Sequence, residues 1–154
     1  KPRRSVALIA AIAALLLLAA PPPARADNLR FTLAASAART APGSGTGVDV
    51  TRCRTAFVSV NVTAGSGTVT TFKVFLEGSA DGGTTYGFEI PCVITAKASG
   101  AATANTQNVV SETAVQTSAK YAATCDLGTD FVRAGWNIAG TTPSETFAVT
   151  MVCK

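Results

Sequence analysis

The chain has 154 residues, 47% of them hydrophobic and 14% charged, with a formal net charge of +4 and no histidine. That length carries one domain with a buried core, and the apolar content excludes a disordered tail. The lack of histidine excludes a Ser-His-Asp triad and removes the commonest metal ligand.

Residues 1–26 have the order of a secretory signal peptide. Lys1-Pro2-Arg3-Arg4 is a basic start, and Val6 to Ala20 is unbroken apolar sequence. Pro21-Pro22-Pro23 stops a helix, and Ala24-Arg25-Ala26 has the pattern of a cleavage site. The apolar run falls short of the roughly 20 residues a membrane span needs. The expectation is an exported protein, extracellular or periplasmic, without membrane attachment once 1–26 is removed. Of the 13 basic residues, Lys1, Arg3, Arg4 and Arg25 precede Asp27, which leaves nine against nine acidic residues. A neutral mature chain gives no reason to expect nucleic-acid binding.

From Asp27 the signals are those of strands and turns. Residues 27–36 predict a short strand with Leu29, Phe31 and Leu33 in phase, and 37–47 predict a loop of small residues. The Gly-rich GSGTG of 43–47 lacks the Lys-Ser/Thr of a phosphate loop. Together 27–47 form an N-terminal arm, expected to make inter-subunit contacts through residues such as Phe31 and Arg39. The β-domain is expected over 48–154. Val48 to Arg54 leads into 55–90, which reads as three strands and two turns. Val58, Val60 and Val62 share one face of the first strand, and Phe72, Val74 and Leu76 one face of the second. Ala64-Gly65-Ser66-Gly67 is the first expected turn, and Ser79 to Gly83 the second. Residues 97–119 are weakly patterned: a strand in a long connection, or a short helix around 111–118. Tyr121 to Cys125, Phe131 to Ala139 and Phe147 to Cys153 complete the pattern, with a turn at Gly140 to Ser144. About eight short strands and no sustained helical period predict an all-β fold, an antiparallel β-sandwich of jelly-roll type.

Four cysteines in an exported chain read as two disulfides. Three connectivities are open. The favoured one is Cys53–Cys153 with Cys92–Cys125, which joins an early strand to the last and staples 93–124. No cysteine pair has C-x-x-C spacing, so a metal site is disfavoured.

Little in the chain points to catalysis, and no enzyme activity, cofactor or metal is expected. Glu77, Asp81 and Glu89 are close in sequence, as are Asp126 and Asp130, and paired carboxylates serve glycosidases. Oxygen ligands at Asp126 and Asp130, or around Asp81, would also suit calcium. However, Asp81-Gly82 has the sequence of a hairpin turn. Trp136 is in phase with Val132 and Ile138 and is expected in the core. Phe75 is out of phase with Phe72, Val74 and Leu76. With Tyr86 it is the candidate for an exposed interaction surface.

Three segments resemble a family. LAASAARTAPGSGTGVDV, VSVNVTAGSGTVTTFKVFLEGSADGGTTY and FVRAGWNIAGTTPSETFAVTM are similar, in order, to small β-sandwich structural proteins of tailed bacteriophages and prophages. Arg133 and Trp136 match the family's C-terminal hairpin, and Asp81-Gly82 its central turn. The resemblance implies a head-surface or decoration role without an active site. The signal peptide and the cysteines depart from that pattern and fit an exported relative. The leading expectation is a non-enzymatic assembly protein whose partners are further copies of itself or other structural subunits. The alternative is a secreted module that binds carbohydrate or cell wall, with glycan as its ligand.

Overall fold

The computed structural model describes residues 28–97 and 108–153. The signal-peptide reading of 1–26 lies outside the described residues, as does part of the 97–119 connection. The strands are β1 (Leu29–Arg39), β2 (Gly43–Ser44), β3 (Val48–Asp49), β4 (Thr55–Ser79), β5 (Phe88–Ile90), β6 (Cys92–Lys97), β7 (Asn108–Glu112), β8 (Ala119–Asp126) and β9 (Phe131–Cys153). All nine join one antiparallel sheet, and no helix occurs among the described residues.

Two long strands organise this sheet. β4 has 25 residues and β9 has 23, and they pair from Ala56 opposite Cys153 to Ser79 opposite Phe131. The ribbon they form folds over. Val62 lies opposite Phe147 and Phe72 opposite Ile138. Ten residues of straight strand would separate those rows by about 33 Å. Yet the Phe72 and Phe147 rings are 5.3 Å apart. The two halves of one ribbon therefore face each other across the core.

This corrects the turns expected at Ala64–Gly67 and Gly140–Ser144. Neither reverses the chain. They lie opposite each other, Gly65 facing Glu145 and Val69 facing Gly140, and together they form the corner. The register slips at three places there, between Val62 and Ala64, Ser66 and Thr68, and Val69 and Thr71. Bulges of this kind bend both strands while the ladder continues. Gly67 has φ of 78°, and a Cβ on it would lie 2.0 Å from the Thr142 carbonyl oxygen. Glycine is needed at the corner both for its backbone angle and for its lack of a side chain. The turn at Ser79–Gly83 does reverse the chain, with Gly82 and Gly83 at positive φ.

One half of the ribbon carries a five-stranded layer in the order β1-β9-β4-β8-β6. The other half is flanked by β2 and β3 along β9, and by β5 and β7 along β4. The fold is thus an all-β, antiparallel one in which a single sheet supplies both layers. The N-terminal arm is built into it. β1 pairs with β9 over Leu29–Arg39, and β2 and β3 pair with the same strand.

Strict alternation fills the space between the layers. Val58, Val60, Val62, Phe72, Val74 and Leu76 are each at most 1% exposed. Burying a side chain of this size stabilises by roughly 1.5–3 kcal/mol. Phe147, Val149 and Met151 of β9, with Val132, Ala134 and Ile138, complete the core.

The disulfides join Cys53 to Cys153 and Cys92 to Cys125. Register places three of these cysteines in one row. Cys153, Ala56, Cys125 and Cys92 lie side by side on β9, β4, β8 and β6. Both cross-links thus clamp one end of the five-stranded layer. Sequence separations of 100 and 33 residues give different losses on removal. In the loop-entropy picture, replacing Cys53 and Cys153 by alanine costs about 4.7 kcal/mol, and replacing Cys92 and Cys125 about 3.7 kcal/mol. Urea unfolding of the two double variants should show that order, and equal losses would contradict it.

Candidate functional site

Four side chains stand out in the sequence as an interaction surface: Phe31, Arg39, Phe75 and Tyr86. The structure does not bring them together. Phe31 is opposite Met151, in phase with Leu33, and packs against the core. It is half-buried there.

Arg39 ends β1 and faces inward with the Glu145 row. Its guanidinium donates to the carbonyl oxygens of Ala35 (2.7 Å), Ala37 (2.9 Å) and Phe147 (2.7 Å). The same group covers the Trp136 ring at 4.4 Å and the Phe147 ring at 4.3 Å. Planar donors and a weakly hydrated face let one guanidinium do both. Partial burial holds its pKa below the usual arginine value. Trp136, half-buried, meets Phe147 edge-on at 5.7 Å. It sits at the rim of the core, and Arg39 closes that rim.

Phe75 faces away from the core, as its phase predicts, and is half-buried. Its ring lies over Gly135, where a Cβ would come within 2.4 Å of it. The aromatic ring fills the space that a glycine in the neighbouring strand leaves. Tyr86 lies beneath the Arg133 guanidinium, 4.1 Å from the ring centroid. Arg133 in turn donates through Nε to Glu77 Oε2 at 2.5 Å. Arg133 and Glu77 are direct cross-strand partners in the β4/β9 ladder. Tyr86, Arg133 and Glu77 thus form one outer cluster, with one ring face of Tyr86 already covered.

Asp81, expected in a turn, is in one, whereas Glu77, Glu89 and Asp126 lie in strands. Asp81 Oδ1 accepts from Ser79 Oγ (2.6 Å) and from the amides of Thr84 (3.1 Å) and Thr85 (2.9 Å). These bonds, that from Ser79 first, hold its pKa far below the usual carboxylate range. Among the described residues no three acidic or cysteine side chains gather as a metal site. No described helix is long and apolar enough to cross a membrane.

Sequence reasoning missed two features. The first is Glu145, which lies at the corner and is fully buried. Its Oε1 accepts the Gln116 amide at 2.9 Å, while Oε2 has no hydrogen-bond partner. Its neighbours are Arg39 across the ladder, Gln116, and Tyr121, whose hydroxyl donates to Gln116 Oε1 at 2.9 Å. Burial pushes the Glu145 pKa up, against the smaller effect of the Gln116 amide. Burial also pushes Tyr121 up, helped by the charge of Glu112. No local pattern flags Glu145, because its neighbours Thr141–Ser144 read as an exposed turn.

The second feature is the outer face of the five-stranded layer. Phe57 is 48% exposed and Val93 is 55% exposed, and they are two strands apart in one cross-strand row. Val93, Thr95, Thr124, Thr55 and Asp126 line a shallow groove of about 520 Å³ beside Val93. Phe57 alternates with Val58 and Val60, so its outward phase was legible. Its proximity to Val93 depends on the strand order.

No family model matches the chain, and no curated protein matches it. Among solved structures, the SPBc2 prophage-derived protein YomS is similar to it, at 18% sequence identity and a TM-score of 0.43. The similarity covers 82% of this chain and 93% of that one.

Two substitutions test these assignments. Arg39→Lys keeps the charge but loses the planar fork, so chemical denaturation should show a loss of about 2 kcal/mol. A change within 0.5 kcal/mol would show that the carbonyl bonds do not matter. For Glu145, a raised folded pKa makes stability highest below the unfolded value of about 4.3. Stability then falls as pH rises through the folded pKa. Glu145→Gln should remove that fall and stabilise the protein by roughly 1 kcal/mol at pH 7. Urea titrations at pH 4 and pH 7 read both effects.

Proposed function

We propose that this chain is a non-enzymatic structural protein, exported and acting by assembly as a subunit or decoration of an extracellular or virion-like structure. The observation that carries this reading is the outer face of the five-stranded layer, where Phe57 and Val93 stand exposed in one row with Thr124 between them. Exposed apolar side chains grouped on a sheet mark contact surfaces. The strand order also ends in β1 and β6, whose outer edges can accept a further strand. Two disulfides fit an oxidising, non-cytoplasmic compartment, and they support export. On this reading the folded-over sheet is a variant of the jelly-roll sandwich, and assembly runs through its faces and edges. The arm of 28–39 contributes an edge of the sheet to such contacts, not a free segment.

Light scattering and negative-stain microscopy of the protein recovered from the export compartment test the reading. Oligomers, filaments or shells are expected. A monomer at every concentration, with no particle formed, would sink it. Mass spectrometry of the same sample should find cleavage after Ala26.

A further inference from the structure

The exposed face of the five-stranded layer has a charge pattern that fits its own copy. Outward positions alternate along each strand. On β8 they are Lys120, Ala122, Thr124 and Asp126, with Lys120 and Asp126 both exposed. The neighbouring strand β4 presents Asn61, Ser59, Phe57 and Thr55 in the same four rows. On β9, Val152 joins the Phe57 row and Thr150 the Ser59 row. Between Lys120 at one end of β8 and Asp126 at the other, β8, β4 and β9 present uncharged side chains, and Arg30 of β1, opposite Val152, stands exposed at the edge of the Phe57 row.

We propose that this face is an isologous interface between two copies of the chain, its two-fold axis running across the strands between the Ala122 and Thr124 rows. The inference rests on the assembly reading above and names the partner of that surface. A rotation about that axis reverses the strand direction. It places Lys120 of one copy over Asp126 of the other, and Asp126 over Lys120. The two positions are six residues apart, about 20 Å along a strand. They form one ion pair at each end of the contact, with Phe57 and Val93 enclosed between. Stacked sheets cross at about 30°, and a twisted layer of this width accommodates that angle.

Size supports the same conclusion. Five strands at about 4.8 Å and four rows at about 6.7 Å span an area of roughly 600 Å². Two such faces bury about 1,200 Å² together, above the roughly 1,000 Å² a specific interface needs. The groove beside Val93, at the Asp126 end of the face, gives the contact room for a side chain from the facing copy. A face with one basic and one acidic end on the same strand is complementary to itself only when the strands run in opposite directions. That condition selects the antiparallel arrangement over a parallel one, in which like charges would meet.

Sedimentation equilibrium of the purified protein tests the interface. The wild type should form a dimer that weakens as salt rises. Asp126→Lys puts like charges at both ends and should weaken the dimer about tenfold or more. Lys120→Glu combined with Asp126→Lys exchanges the two ends and should restore it. Phe57→Glu should leave a monomer, and because Phe57 is exposed its circular dichroism should be unchanged. If that variant does not fold, the charge series decides alone. A dimer indifferent to Phe57→Glu and Asp126→Lys would overturn this interface and leave the assembly reading standing. Failure of the exchanged pair to restore the dimer would overturn the antiparallel arrangement. A wild type that stays monomeric at every concentration would overturn both.

Discussion

The hydrogen-bonded ladder between β4 and β9 is the constraint on which the other contacts depend. It supplies the centre of both layers, so every other strand finds its place by pairing with one half of it, directly or through β8. Because the ladder continues through the corner, the two inner faces are set in register by covalent continuity. Phe72 on one side and Phe147 on the other meet without any crossover connection to bring them there. A ribbon of this length would lie open and flat without the register slips at 62–71. The corner and the core are therefore one device, and the glycines that permit the bend are as necessary as the valines it brings together.

Polar groups near that corner are arranged to close it. Arg39 caps the Trp136 and Phe147 rings and satisfies three carbonyl oxygens. Glu145, directly opposite Arg39, is buried with one oxygen unpartnered, and burial favours its protonated form. At the opposite end of the five-stranded layer the two disulfides share a row. One end is thus held by covalent cross-links and the other by a cation, aromatic rings and a buried carboxyl. Between those ends the outer face has no comparable reinforcement. It is also the region where the apolar side chains of Phe57 and Val93 reach the surface.

Much of the local structure was legible in the residues. Alternation correctly assigns Val58, Val60 and Val62, then Phe72, Val74 and Leu76, to the inside, because the two-residue repeat of a strand is a local property. Phe75 is outward for the same reason, and Asp81 is recognisable as a turn former from its neighbours alone. The candidate surface was less legible. Phe57 carries an outward phase, but nothing in the sequence says that Val93 belongs to the same row. Arg39 was expected at an interface, yet its partners Trp136 and Phe147 are about a hundred residues away. Tyr86 was expected to present its ring, and Arg133 covers one face of it.

The amino-acid sequence by itself determined the all-β class, the inward and outward faces of the strands, and the places where the chain bends. These follow from side-chain period and from the backbone freedom of glycine. Only the tertiary structure decided what a bend does. The glycine-rich segments at 64–67 and 140–144 have the composition of hairpin turns, and either would reverse a chain standing alone. Opposed to each other within a ladder that does not break, they bend the ribbon and keep its strands paired. Whether a bend reverses the chain depends on the strand beside it, and that neighbour is a long-range fact that no local pattern contains.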